Sequence, residues 1–136
     1  MLVHHIGYVV PSVVNKAEEL KSKFNNNLSA SEIIVDPIQK VKIILLESEN
    51  LFIELIEPIN ESSPVFNILR NRGSHLNHLC LEVESIPETI KSLTTGKDRW
   101  LPISPISPAI AFNNRNVAFL ISRDNVVWEL LESEKI

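Results

Sequence analysis

Apolar and polar residues alternate over residues 2–10, a run rich in β-formers that Pro11 closes, and the alternation predicts a strand. Ser12 can then cap a helix in which Val13, Ala17, Leu20 and Phe24 recur at helical spacing while Lys16, Glu18, Glu19, Lys21 and Lys23 face water. Asn25-Asn26-Asn27 is turn material that stops it. Three β-type runs follow, Ala30 to Val35, Lys40 to Glu47 and Asn50 to Glu57, separated by Asp36-Pro37 and by Glu47-Ser48-Glu49-Asn50. The predicted order of the first half is β-α-β-β-β.

Ser63-Pro64 predicts the start of a linking helix, with Ser as N-cap and Pro at the first helical position, carrying Val65, Phe66, Ile68 and Leu69 and ending at Gly73. The second half repeats the first. A strand over Leu76 to Val83 leads to a short helix from about Pro87 to Leu93, with Ile86, Ile90 and Leu93 inward and Gly96 as its stop. A strand around Arg99 to Ile103 comes next, then a segment punctuated by Pro102, Pro105 and Pro108 that must be a loop or a bent edge strand. Asn116 to Ile121 and Asn125 to Leu131 flank Ser122-Arg123-Asp124-Asn125, a hairpin signal. The chain thus reads as an α+β fold of two tandem βαβββ modules in a single domain over 1–136: module one about 1–58, linker helix about 63–72, module two about 75–136.

The repeat extends to chemistry. Each half opens on a histidine strand, Val3-His4-His5-Ile6-Gly7-Tyr8-Val9 and Leu76-Asn77-His78-Leu79-Cys80-Leu81, and closes on a glutamate strand, Phe52-Ile53-Glu54-Leu55-Ile56 and Val127-Trp128-Glu129-Leu130-Leu131. His5 and His78 lie 73 residues apart, Glu54 and Glu129 lie 75 apart, and such recurrence marks duplicated supersecondary units. Alternation sends Ile6, Tyr8 and Val10 toward the helix and His5, Gly7 and Val9 to the opposite face; His78 and Cys80 likewise oppose Leu79 and Leu81. Glu54 shares a face with Phe52 and Ile56, and Glu129 with Val127 and Leu131. A carboxylate among apolar neighbours is costly unless it is paired or bound to a cation. Two imidazoles and two carboxylates suit one borderline divalent ion, Ni²⁺, Co²⁺, Zn²⁺, Mn²⁺ or Fe²⁺. Four protein ligands on an octahedral ion leave two positions for water or substrate oxygens, and such a site serves proton movement beside a carbonyl, with a loosened carboxylate carrying the proton.

Other histidines and polar residues have plainer readings. His4 points away from His5, His75 belongs to the Gly73-Ser74-His75 loop, Cys80 is a small thiol beside His78, and Trp100 and Trp128 are packing residues. Arg115, after two asparagines, is either a fork of donors for a substrate carboxylate or phosphate or a solvated side chain. A net charge of −4 without a Lys/Arg run argues against nucleic acid or an anionic membrane as partner. One cysteine excludes an internal disulfide, and with neither a signal-peptide pattern nor a membrane-spanning apolar run the expected compartment is the cytoplasm.

These stretches, together with Ser63-Pro64 and Val117-Ala118-Phe119-Leu120, resemble the vicinal oxygen chelate superfamily, the group of glyoxalase I, methylmalonyl-CoA epimerase, extradiol dioxygenase and bleomycin-resistance proteins, over nearly the whole chain. The resemblance implies paired βαβββ modules forming a cupped eight-stranded mixed sheet, a small-molecule substrate, and a homodimer. It places His5, Glu54, His78 and Glu129 at the family's four metal positions, with Glu129 as proton shuttle and Glu54 beside it as the second catalytic carboxylate. The order of segments is most similar to methylmalonyl-CoA epimerase-like and single-chain glyoxalase-like proteins. The implied activity is a metal-dependent isomerase, epimerase or lyase working through an enolate or enediolate on an acyl thioester or α-hydroxycarbonyl compound. A glyoxalase I-type lactoylglutathione lyase is the alternative enzyme, and a drug-sequestering protein of the bleomycin-resistance type the alternative of another class. One departure stands out: Pro37-Ile38-Gln39-Lys40 carries Gln39 where the epimerases have a non-ligand glutamate, leaving Asp36 and Glu57 as candidates for a second base.

Overall fold

A computed structural model describes residues 2–24 and 27–134, so Asn25 and Asn26 of the expected turn lie outside the described residues. The chain divides into two compact units, one of His5–Asn77 and the other of residues 2–4 with 78–134 among those described.

The first unit is built from β1 (Leu2–Val9, its first three residues falling in the other unit), α1 (Val13–Lys23), β2 (Ser29–Ala30), β3 (Ile34–Asp36), β4 (Val41–Glu47), β5 (Phe52–Pro58) and α2 (Phe66–Arg72). β1 lies parallel to β5, which pairs antiparallel with β4, and β2 and β3 both pair with the far edge of β4. Helix α1 covers one face of this sheet, where Val13 and Ala17 pack with Val10, Ile44, Leu46 and Leu55 and draw in Tyr8 and Leu20. That packing is the reason Tyr8 and Val10 turn toward the helix.

The start of α1 is secured twice. Ser12 Oγ accepts from Asn15 N at 3.1 Å, and Glu57 Oε1, 44 positions away in β5, accepts from Val13 N at 3.0 Å. Two of the four amides that a helix leaves unpaired at its first turn are thereby satisfied. Replacing Glu57 by Ala is expected to lower stability by about 1–2 kcal/mol, the scale of a lost cap and an unpaired half-buried donor. Urea unfolding checks this, and a midpoint equal to wild type would show the cap to be dispensable.

Several boundaries differ from the sequence pattern: β5 starts at Phe52 and not Asn50, the helix Ile86–Leu93 stops at Thr94 and not Gly96, the strand expected around Arg99 to Ile103 is only Leu101–Pro102, and three more differ for a visible reason. The run Ala30 to Val35 is two strands, because Ser31 turns its side chain into the ladder: Leu45 N donates to Ser31 Oγ at 2.9 Å while Ser31 N donates to Leu45 O at 2.9 Å. Lys40 adopts φ 58° and so lies outside β4, in a turn that Asp36 Oδ1 closes by accepting from Ile38 N and Gln39 N. Helix α2 begins at Phe66 and not at Pro64; Val65 precedes it without a side-chain cap. Asn60 Oδ1 accepts from both Ser62 N and Ser62 Oγ, and Ser63 O accepts from Phe66 N, so a tight turn occupies the positions where Ser63 and Pro64 would have opened the helix. Gly73 closes α2 as expected, at φ 74°.

The second unit repeats the order with β6 (His75–Val83), α3 (Ile86–Leu93), β7 (Leu101–Pro102), β8 (Ser107–Ala109), a single 3-10 turn at Ile110–Phe112, β9 (Arg115–Ile121) and β10 (Val127–Glu132); the first three residues of β6 fall in the first unit. β6 runs parallel to β10, β10 antiparallel to β9, and β7 and β8 both lie on the outer edge of β9. Ser85 caps α3 by accepting from Glu88 N, and Ile86 packs with Val83, Ala118, Leu120 and Leu130 beneath Ile90 and Leu93. The proline-rich segment is a bent edge: Pro108 sits in β8 opposite Asn116, where the missing amide faces no neighbour strand. The hairpin between β9 and β10 turns through Asn125 at φ 66°, with Trp128 Nε1 donating to Ser122 Oγ at 3.1 Å and stacking on Trp100 at 5.1 Å. No helix among the described residues is long and apolar enough to cross a membrane.

Candidate metal centre

In the first unit, the parallel register of β1 and β5 sets Gly7 opposite Glu54 and His5 opposite Phe52. Residues of one strand that differ by two positions share a face, so the imidazole and the carboxylate meet across the strands. His5 Nε2 lies 3.4 Å from Glu54 Oε1, the histidine fully buried and the glutamate 5 % exposed. Gly7, directly across from Glu54, leaves that carboxylate uncrowded.

The second unit builds the same pair from β6 and β10. Cys80 lies opposite Glu129 and Val127 opposite His78, so the glutamate again faces the residue two beyond the histidine. His78 Nε2 lies 3.1 Å from Glu129 Oε1, and both side chains are buried. Cys80, wholly buried, takes the place of Gly7. Phe119 of β9 is the register partner of Glu129 and meets the His78 ring edge-to-face, centroids 5.4 Å apart at 89°.

Each pair supplies a buried imidazole nitrogen and a buried carboxylate oxygen. A carboxylate held there is costly without a partner, and a protonated imidazole or a cation would supply one. Ligands at neighbouring corners of an octahedron with bonds of about 2.1 Å stand about 3 Å apart. The separations of 3.1 and 3.4 Å therefore suit a cation between each nitrogen and oxygen, and nitrogen with oxygen is the donor mix that borderline divalent ions prefer.

The remaining candidates have other contacts. His4 stacks edge-on against Phe112, centroids 5.1 Å apart, and His75 Nδ1 is 2.9 Å from Gly73 O. Arg115 is neither a waiting anion receptor nor a solvated side chain: Nη1 donates to Glu82 Oε1 at 3.4 Å and to Glu132 O at 3.2 Å, and Nε donates to Phe112 O at 3.4 Å. It ties β6, β10 and the 3-10 turn together. Glu57 is committed to the α1 amide, and Asp36 to its own turn. Asp36 pairs with Val41, whereas Glu54 pairs with Leu45 four residues along β4, which puts the two carboxylates about 13 Å apart along the strand direction alone.

Two serines beside the site, Ser31 and Ser104, lie outside the residues that the sequence pattern singled out. Ile103 N donates to Phe119 O at 2.9 Å and Phe119 N donates to Ser104 Oγ at 2.9 Å, repeating in the second unit what Ser31 does for Leu45 in the first. Leu45 and Phe119 are the cross-strand partners of Glu54 and Glu129. In both units a serine hydroxyl thus breaks the edge strand beside the residue that faces the glutamate. The 73-residue interval from Ser31 to Ser104, equal to that between the histidines, was the available signal.

The chain belongs to the glyoxalase/bleomycin resistance protein/dioxygenase superfamily, whose family profile matches residues 4–119. Within that class its similarity is to epimerases of acyl thioesters. The mitochondrial methylmalonyl-CoA epimerase of Dictyostelium discoideum is 28 % identical over 96 % of this chain and 77 % of its own length. An ethylmalonyl-CoA/methylmalonyl-CoA epimerase of Cereibacter sphaeroides is 27 % identical over 90 % of this chain and 89 % of its own. The crystal structure of methylmalonyl-CoA epimerase from Mycobacterium tuberculosis superposes with a TM-score of 0.84, covering 98 % of this chain and 88 % of that one at 20 % identity, which shows a common fold.

Proposed function

We propose that this protein is a divalent-metal-dependent epimerase of 2-alkylmalonyl-CoA thioesters, with His5, Glu54, His78 and Glu129 holding one shared ion. The observation that carries the proposal is the duplicated pair: two parallel strand pairs, each with a buried His Nε2 at 3.1–3.4 Å from a Glu Oε1 and each with the glutamate facing the residue two beyond the histidine. Two donors from each unit make the four-ligand set of the sequence analysis. Similarity to two epimerases of malonyl-type thioesters supports the substrate class over a hemithioacetal or a sequestered drug.

When bound, the ion supplies a Lewis acid that stabilises the negative charge developing on the thioester oxygen. The work of the chain is proton transfer. Glu129 takes the proton from the α-carbon, the C–H electron pair delocalises into the thioester carbonyl, and a proton returns to the same carbon from the other side. Glu54 fits the second role by the equivalence of the two pairs, and it is needed there because Gln39 has no titrating proton, Glu57 caps α1 and Asp36 lies too far along its strand.

The test is deuterium exchange. In D2O the cobalt-loaded protein is expected to place one deuterium on the α-carbon of methylmalonyl-CoA and to interconvert its epimers, with both reactions lost on chelation. Absence of exchange from the loaded protein, together with lactoylglutathione formation from the hemithioacetal of methylglyoxal, would replace the epimerase by the lyase.

A further inference from the structure

We infer that Phe119 sets the size of the alkyl group accepted on the α-carbon, with Ser104 as the residue that positions it; the inference rests on the epimerase reading above. Phe119 lies directly across from Glu129 on the same sheet face, and its ring meets His78 edge-to-face at 5.4 Å. A cross-strand partner keeps its Cβ about 5 Å from its neighbour's. Any carbon that gives its proton to Glu129 therefore brings its substituents near this ring. Glu129 and His78 are buried, whereas Phe119 is only half-buried, so an apolar surface remains beside two polar donors. That surface suits a short alkyl group and repels a charged one.

The backbone that carries the ring is held in place. Phe119 donates its amide to Ser104 Oγ and accepts from Ile103 N, each at 2.9 Å, so its backbone is fixed on the edge side by residues of the bent segment and on the other by β10. The first unit holds Leu45 against Glu54 with Ser31 in the same manner. The duplicated device differs in the side chain it presents, leucine in one unit and phenylalanine in the other.

Methylmalonyl-CoA and ethylmalonyl-CoA differ by one methylene in the group concerned, and one methylene in an apolar pocket changes kcat/KM about 10- to 200-fold. The experiment compares the exchange kcat/KM of the two thioesters in wild type, Phe119→Leu and Phe119→Ala, with metal content measured for each. Calorimetric affinities of the metal-loaded proteins for methylmalonate and ethylmalonate give a readout without turnover. The ethyl-to-methyl ratio is expected to rise at least tenfold in Phe119→Ala and by less in Phe119→Leu, in exchange and in affinity alike, with metal content unchanged. A ratio within twofold of wild type in the metal-loaded variants would overturn the inference; if Phe119→Ala does not fold, Phe119→Leu decides. Wild type inert on both thioesters would refute the epimerase reading itself, and the alkylmalonate affinities would then decide for Phe119 separately.

Discussion

Glu129→Gln is expected to slow exchange of the methylmalonyl-CoA α-proton about a thousandfold, within the range that a positioned general base contributes. The amide is nearly isosteric with the carboxylate and can still lie beside His78 Nε2, so the fold survives, but it cannot accept a proton from carbon. Glu129 is 2 % exposed and 3.1 Å from His78, which leaves little room for water to enter and take over as base. Quench-and-mass-spectrometry of the thioester in D2O gives the rate. Metal content is expected to fall in the same variant, because a neutral amide is the weaker ligand, and restoring occupancy with excess ion separates the two effects. Exchange at the wild-type rate would remove Glu129 from the proton path. Glu57→Ala is the control: it removes a carboxylate that caps α1, so exchange should persist in the folded fraction.

The other large effect is on stability. Loading the wild-type protein with Co²⁺ at about a thousandfold above its dissociation constant is expected to stabilise the folded state by about 4 kcal/mol, a rise in Tm of about 10 °C for a chain of this size. His78→Ala removes one imidazole donor and leaves Glu129 buried without it, so the variant is expected to melt below wild type and to show no rise with cobalt. Thermal melts with and without metal read both. A cobalt-dependent rise that survives in His78→Ala would place the ion away from this pair. Metal retention should also fall as the pH is lowered, because protons compete with the ion for its ligands.

Much of the site was legible because its signals are short in range. Alternation along β1 separates His5 and Gly7 from Ile6, Tyr8 and Val10, and the structure packs Tyr8 and Val10 under α1 while His5 turns to the other face and pairs with Glu54. The recurrence of a histidine strand and a glutamate strand singled out the four residues of the two buried pairs, and the order of elements in each unit followed from runs of β-formers and two amphipathic helices. What escaped the sequence is held by bonds that leave no periodicity. Glu57 and Val13 are 44 positions apart, and nothing local marks a strand glutamate as a helix cap. Ser31 and Ser104 look like ordinary strand or loop residues, yet each replaces a ladder bond with its hydroxyl and breaks its edge strand in two. Arg115 was read either as a fork for an anion or as a solvated side chain, but the anion it meets is Glu82, supplemented by two carbonyls. The Ser63-Pro64 helix start failed because Asn60 had already closed a turn onto Ser62, a competition that capping preference alone does not weigh.

The two pairs are alike in register, burial and distance, and each could in principle hold an ion by itself; the proposed chemistry needs one ion shared by both. Metal analysis of the purified chain, chelated and reloaded with Co²⁺, Ni²⁺, Zn²⁺ or Mn²⁺, on wild type beside His5→Ala and His78→Ala, separates these arrangements. A shared ion gives about one metal per wild-type chain and its loss from both variants, since an ion deprived of one imidazole keeps too few strong donors. Two metals per chain, one metal surviving in either variant, or none under any loading condition would contradict a single four-ligand centre.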